Sequence, residues 1–212
     1  MAKMGAINLV LLFILILNFS NTVLADTHVE KHPWTLKRNQ EGVSVYTRRV
    51  SGSSVLEYKG NVVVDAPMDR AIKLFEDDKK VPLWFFHGSQ AREVERPDDF
   101  TKVYYFIEKL PWPISNRDTV FERIKLIDQG SGEIKYTLKS LPDRLPRKKG
   151  IVRVIYLKSS WRFIPMSGGR TEIYFQQYAR PEGFIPAFMV NQLVIDVPFY
   201  SLKNFRSLLE KV

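Results

Sequence analysis

Several segments of this chain place apolar residues at every second position, the mark of a strand with one face buried. From Val55 to Val64, the side chains of Leu56, Tyr58, Val62 and Val64 fall on one face. Ile134, Tyr136 and Leu138 alternate with Lys135, Thr137 and Lys139, and Thr171, Ile173 and Phe175 alternate with Glu172, Tyr174 and Gln176. Segments 43–49, 90–96, 101–109, 118–127 and 151–163 also read as strands. Turn signals separate them at Gly52, Pro97-Asp98-Asp99, Gly130-Ser131-Gly132 and Ser167-Gly168-Gly169. Regular spacing without helices between them predicts an antiparallel sheet. Two stretches change to helical spacing. Ala66-Pro67 opens the first, with Ile72, Leu74 and Phe75 as its apolar residues. The second starts at Pro186, a favoured first-turn position, and carries Val190, Leu193, Val194, Val197, Leu202, Phe205 and Leu209 towards Val212. Pro198 lies inside it and is expected to kink it or break it in two. The predicted class is therefore α+β: a curved antiparallel sheet closed by a long C-terminal helix. A sheet that wraps a helix without collapsing onto it leaves an internal cavity suited to an apolar ligand.

One loop departs from the usual polar character of loops. Leu110-Pro111-Trp112-Pro113-Ile114-Ser115-Asn116 places a tryptophan between two prolines, between two predicted strands. Proline cannot serve an interior ladder, so the segment is a stiff loop. An apolar tip needs an apolar counterpart: the core, a ligand, a partner or a membrane.

The N-terminus reads as a targeting segment. Lys3 precedes an apolar run from Ile7 to Leu17, and Val23-Leu24-Ala25 supplies small residues for a peptidase. Residues 1–25 are thus expected to be a secretory signal peptide cleaved after Ala25, with an uncleaved anchor as the alternative. Residues 26–212 fit a single domain. Export to a periplasm or beyond the cell is expected, and the absence of cysteine suits a periplasm better than a small eukaryotic secreted domain. A net charge of +9 favours anionic surfaces. The basic residues are dispersed, which argues against nucleic acid, although Arg144, Arg147, Lys148 and Lys149 form a short run.

Catalytic chemistry finds little support. His28, His32 and His87 make no metal-ligand spacing, so no metal is expected. No phosphate-cradling glycine loop or Gly-x-Ser-x-Gly turn occurs, and no cofactor is expected. Asp77-Asp78-Lys79-Lys80 reads as a solvated helix end.

The order of motifs resembles the START family of steroidogenic-acute-regulatory-protein-related lipid transfer domains. Trp34 with Gly42-Val43-Ser44-Val45-Tyr46 resembles its opening helix and first strand, and Val81-Pro82-Leu83-Trp84 its second helical region. Trp112-Pro113 through Arg117-Asp118 resembles its apolar loop and the strand that follows. Gly150-Ile151-Val152-Arg153, Ser160-Trp161, Gly169-Arg170-Thr171 and Pro181-Glu182-Gly183-Phe184-Ile185-Pro186 with Asn191 follow in the same order. The resemblance spans Trp34 to Val212. It implies a helix-grip fold, shared with Bet v 1-like proteins, in which a U-shaped sheet holds one lipid under the C-terminal helix. It implies lipid binding and transfer without catalysis, and a transient peripheral contact with a membrane. A monomer is expected. Cyclases and hydrolases of related fold provide a second reading, with Arg123, Tyr104 and Glu108 as candidate groups, and a ligand sensor a third.

The resemblance also implies site residues. Sterol-binding members pair a buried acid with an arginine; counting from Arg117-Asp118 puts the arginine at Arg123 and the acid at Tyr104. If Arg123 faces the tunnel it must find another acid, Glu108 or Glu122, or a complementary ligand; otherwise it faces solvent. The polar positions of ceramide-binding members fall on Phe106 and Phe175, which argues against ceramide. The expected lining is Tyr104, Phe106, Phe121, Arg123, Tyr136 and Phe175, each aromatic having core packing as the alternative. Trp112 with Ile114, and Phe184 with Ile185, are the expected membrane contacts at one end of the tunnel.

Overall fold

The computed structural model describes residues 32–180, 182, 183, 185 and 187–211; the side chains of Ala187 and Phe188 lie outside that set. The predicted signal peptide and Phe184 lie outside the described residues. The chain runs β1 (Thr35–Gln40), β2 (Val43–Arg48), β3 (Glu57–Val64), α1 (Met68–Glu76), α2 (Val81–Trp84) and β4 (Gly88–Glu95). It continues with β5 (Thr101–Glu108), β6 (Arg117–Ile127), β7 (Ile134–Ser140), β8 (Val152–Arg153), β9 (Tyr156–Met166), β10 (Arg170–Arg180) and α3 (Ala187–Glu210). The strands form one sheet in the order β1-β2-β3-β10-β9-β7-β6-β5-β4, antiparallel between neighbours, with β8 pairing parallel to the start of β6.

The alternation read from the sequence decides what lies beneath α3. Tyr58, Val62 and Val64 of β3 and Thr171, Ile173 and Phe175 of β10 are buried on the inner face. α3 lays Val194, Val197, Leu202, Phe205 and Leu209 onto that face. Gly60 lies where helix and sheet meet: a Cβ there would stand 2.8 Å from Leu202 Cδ1 and 3.2 Å from the Ser44 carbonyl oxygen. Apolar burial along both halves of α3 outweighs the ~3 kcal/mol that an interior proline costs. The helix therefore continues through Pro198 and is not broken in two.

Two other expectations are corrected. The segment after Trp34 is the edge strand β1 in a hairpin with β2, not a helix; Glu41 and Gly42 make the turn at positive φ. Its sequence, Thr-Leu-Lys-Arg-Asn-Gln, is mostly solvent-exposed and shows no apolar alternation. Segment 151–163 is two strands, because β8 pairs with Arg117-Asp118 of β6 whereas β9 pairs with β7 and β10.

Candidate functional site

β5 and β6 build the site through their two-residue period. Tyr104, Phe106 and Glu108 of β5, and Thr119, Phe121 and Arg123 of β6, line an internal cavity. The intervening Val103, Tyr105 and Val120 pack outward with Ile107, Leu141 and Leu145. Both faces of this hairpin are thus covered, which fixes the direction of every inward side chain. Phe75 of α1, Val81 and Trp84 of α2, Phe85, and Trp161 of β9 supply the opposite wall. A second cavity runs beneath the first half of α3, between Leu56, Leu110, Ile185, Val190 and Leu193. Glu108, Thr119, Leu157 and Gln177 line both, so the two are chambers of one passage with a polar waist.

Arg123 settles in the inner chamber, 6 % exposed. Its guanidinium donates to Tyr104 Oη at 2.5 Å and stands over the rings of Tyr104, Phe75 and Tyr136, 4.3–5.4 Å from their centres. Nearby, Tyr136 Oη donates to Glu76 Oε1 at 2.6 Å and Lys125 Nζ donates to the same oxygen at 3.0 Å. Burial would raise the Glu76 pKa, but these two donors hold it below the usual glutamate value. Burial pushes the Asp78 carboxyl up, against the opposing charge of Arg123. Asp78 Oδ2 accepts from the Glu93 backbone N–H at 3.1 Å, whereas Asp78 Oδ1 and Trp84 Nε1 are buried without a hydrogen-bond partner.

At the waist, Glu108 stands opposite Arg117 in the β5–β6 ladder. Burial raises its pKa to about 7, against the opposing charge of Arg117. Arg117 itself donates to the backbone carbonyls of Ser115 (2.5 Å) and Glu182 (3.1 Å). It thereby ties the loop before β6 to the segment that leads into α3.

That loop has a single outward apolar residue. A turn closed by Ile114 N–H to the Pro111 carbonyl (3.0 Å) leaves Trp112 at the apex, 92 % exposed. The same turn buries Ile114, which is 5 % exposed. Asn116 Oδ1 accepts from the Leu110 N–H and closes the loop base. Alongside, Arg153 pairs bidentately with Asp118 (2.8 and 2.9 Å), both side chains being almost wholly buried. Arg153 also donates to the carbonyls of Pro142, Leu145 and Pro146. This pins the basic run, which returns to the loop base through Val152 N–H to the Asn116 carbonyl. Lys148 and Lys149, both exposed, stand in the turn just before Val152.

The family model of the START domain matches residues 17–211. The chain belongs to the START family. A STAR-related lipid transfer protein of Xanthomonas axonopodis superposes with a TM-score of 0.77 at 32 % identity, over 84 % of this chain and 99 % of that one. An uncharacterised protein of Pseudomonas aeruginosa is 31 % identical over 84 % of this chain and 87 % of its own. The phosphatidylcholine transfer protein of Bos taurus is 26 % identical over 74 % of this chain and 75 % of its own.

Within this START domain the structure distributes the sequence-derived residues as follows. Tyr104, Phe106, Phe121 and Arg123 share the inner chamber. Arg123 faces the tunnel, and its partner is the Tyr104 hydroxyl instead of a carboxylate. Glu122 points to the other face of β6, as the alternation requires, and Glu108 lies at the waist. Tyr136 and Phe175, expected in the lining, stand one layer behind it. Trp161 stacks on Phe175 at 4.1 Å and takes its place in the wall, and Tyr136 is held in the core by Phe75 and Glu76. Ile114, expected to contact a membrane, is turned inward by its own turn, and Ile185 is half-buried in the outer chamber wall. Asp78, expected on a solvated helix end, reaches the inner chamber. Thr119 and Gln177 were not anticipated in the lining. Both were within reach of strand alternation, since Thr119 shares a face with Phe121 and Arg123 and Gln177 continues the face of Thr171, Ile173 and Phe175.

Proposed function

We propose that this START domain binds one lipid in the two-chambered passage and carries it between membranes. The observation that carries the reading is the passage itself: mainly aromatic and aliphatic walls, with few polar groups placed at its inner end and waist. Each methylene buried there contributes ~0.8 kcal/mol, so acyl chains supply affinity and polar groups supply selection. Similarity to the bovine phosphatidylcholine transfer protein supports an acyl lipid as the ligand class. Trp112 suits the bilayer interface, with an apolar ring and a polar N–H. Lys148 and Lys149 beside the loop base would each add ~1 kcal/mol at an anionic surface. Movement of the Trp112 loop and of the approach to α3, which Arg117 ties together, would open the outer chamber. The protein acts after export and cleavage at Ala25, as a monomer in transient contact with the membrane, and as a carrier instead of a catalyst.

An enzyme of the same superfamily is the second reading. It is favoured by Glu108, a tunnel carboxyl whose pKa is raised to about 7. The test is transfer from donor to acceptor vesicles of phosphatidylcholine and phosphatidylglycerol, with the lipids gained by the acceptors identified by mass spectrometry. The carrier reading predicts intact lipids moving faster than in the protein-free control. Lipids that are chemically altered, or no acceleration, would contradict it.

A further inference from the structure

The waist of the tunnel holds a group that the carrier reading does not use. On β5 the inward positions run Tyr104, Phe106, Glu108, so a carboxyl occupies the third place on a face otherwise aromatic. It lies about 13 Å along the strand from Tyr104, at ~3.3 Å per residue. Apolar side chains line the passage on both sides: Phe106 and Phe85 inward, Val190 and Val194 outward. Among the described residues Glu108 makes no hydrogen bond and no ion pair within 4 Å. The cation opposite it, Arg117, directs its guanidinium nitrogens to the carbonyls of Ser115 and Glu182. A carboxyl half-buried between apolar walls without a hydrogen-bond partner is unfavourable. Thr119, which stands opposite Phe106 one inward position from Glu108, and Gln177 line both chambers with Glu108 and add a hydroxyl and an amide at the waist. Polar groups gathered midway along an apolar passage suit a ligand that is itself polar midway and apolar on either side.

We propose that Glu108, with Thr119 and Gln177, forms a subsite for a hydroxyl carried partway along an acyl chain, so that the ligand class is hydroxylated acyl lipid. The proposal rests on the carrier reading and narrows it. A cationic group is disfavoured there by the adjacent Arg117. A carbonyl could only accept, which suits the protonated carboxyl alone. A hydroxyl both donates and accepts, so it pairs with Glu108 in either protonation state. Its other valence reaches Thr119 or Gln177. The inner chamber then takes the remainder of the chain, whose terminal carboxylate or carbonyl can meet Arg123.

The test uses the purified full chain and two probes, stearate and hydroxystearate with its hydroxyl at mid-chain, their affinities measured by isothermal titration calorimetry. The expected result is binding of hydroxystearate about tenfold tighter than stearate, the worth of one hydrogen bond to a charged group. In Glu108→Leu the advantage should vanish while stearate affinity is kept or improved. Glu108→Gln keeps the shape and one acceptor, and should show a reduced advantage; it serves if the leucine variant fails to fold. Equal affinity for the two probes in the unaltered protein would overturn the subsite and leave the carrier reading standing. So would an advantage that persists undiminished in both variants. Failure to bind either probe, together with no transfer between vesicles, would remove both.

Discussion

At the scale of single residues, three charged groups set the character of the molecule. Arg123 is buried among aromatic rings with the Tyr104 phenol as its hydrogen-bond acceptor, in a chamber that Asp78 also lines. Glu108 makes stability depend on pH. In the unfolded chain its carboxyl titrates near 4.5, whereas the fold holds the proton up to about 7. The native state is therefore favoured below pH 4.5, loses that advantage as pH rises to about 7, and changes no further above it. Glu108→Gln should raise the melting temperature by a few degrees at pH 8, and the difference from the unaltered protein should shrink towards pH 4. A difference independent of pH would show that the carboxyl is well solvated. The third group, Arg153, is structural. Arg153→Ala leaves Asp118 buried and unpaired and frees three carbonyls, so urea unfolding should show a loss of about 3–5 kcal/mol. Alternation along β5 and β6 agrees with the family resemblance in turning Tyr104, Phe106, Phe121 and Arg123 inward. It could not give depth. Tyr136 and Phe175 lie on the correct face yet sit behind Phe75 and Trp161, because which aromatic reaches the wall depends on packing between elements distant in sequence.

At the scale of elements, the junction of α3 with β3 and the Trp112 loop represent opposite kinds of apolar contact. Gly60 lets the helix lie close to the sheet. In Gly60→Ala the new methyl would meet Leu202 and the Ser44 carbonyl, and the cost should be about 1–3 kcal/mol, read from denaturant midpoints. Trp112 packs on nothing beneath it. Trp112→Ala should change stability by less than about 0.5 kcal/mol but weaken sedimentation with phosphatidylglycerol-containing vesicles. A large stability loss would place the ring in the core instead. The loop's stiffness was visible from its prolines, but the inward turn of Ile114 was not, since it depends on one backbone hydrogen bond. β1 was missed because an exposed edge strand has no buried face to impose alternation. Of the two outcomes expected at Pro198, a break is excluded by burial that only the assembled sheet provides, and the helix runs on.

At the scale of the whole molecule, one curved sheet and one long helix enclose a passage with an aromatic inner chamber, a polar waist and an outer chamber beneath the Trp112 loop and the approach to α3. The fold class could be read from the periodicities and from the order of family motifs. The subdivision of the passage could not, since it arises where β3, β5, β6, β9 and β10 meet α3. The central claim is that this passage exists to hold a lipid. The most direct measurement is mass spectrometry of organic extracts from protein purified without detergent, with bound lipid quantified per chain. The account predicts about one acyl lipid per folded chain, retained through purification and enriched over the host's bulk lipid. Protein that is consistently empty, and that acquires no lipid when mixed with vesicles, would contradict it.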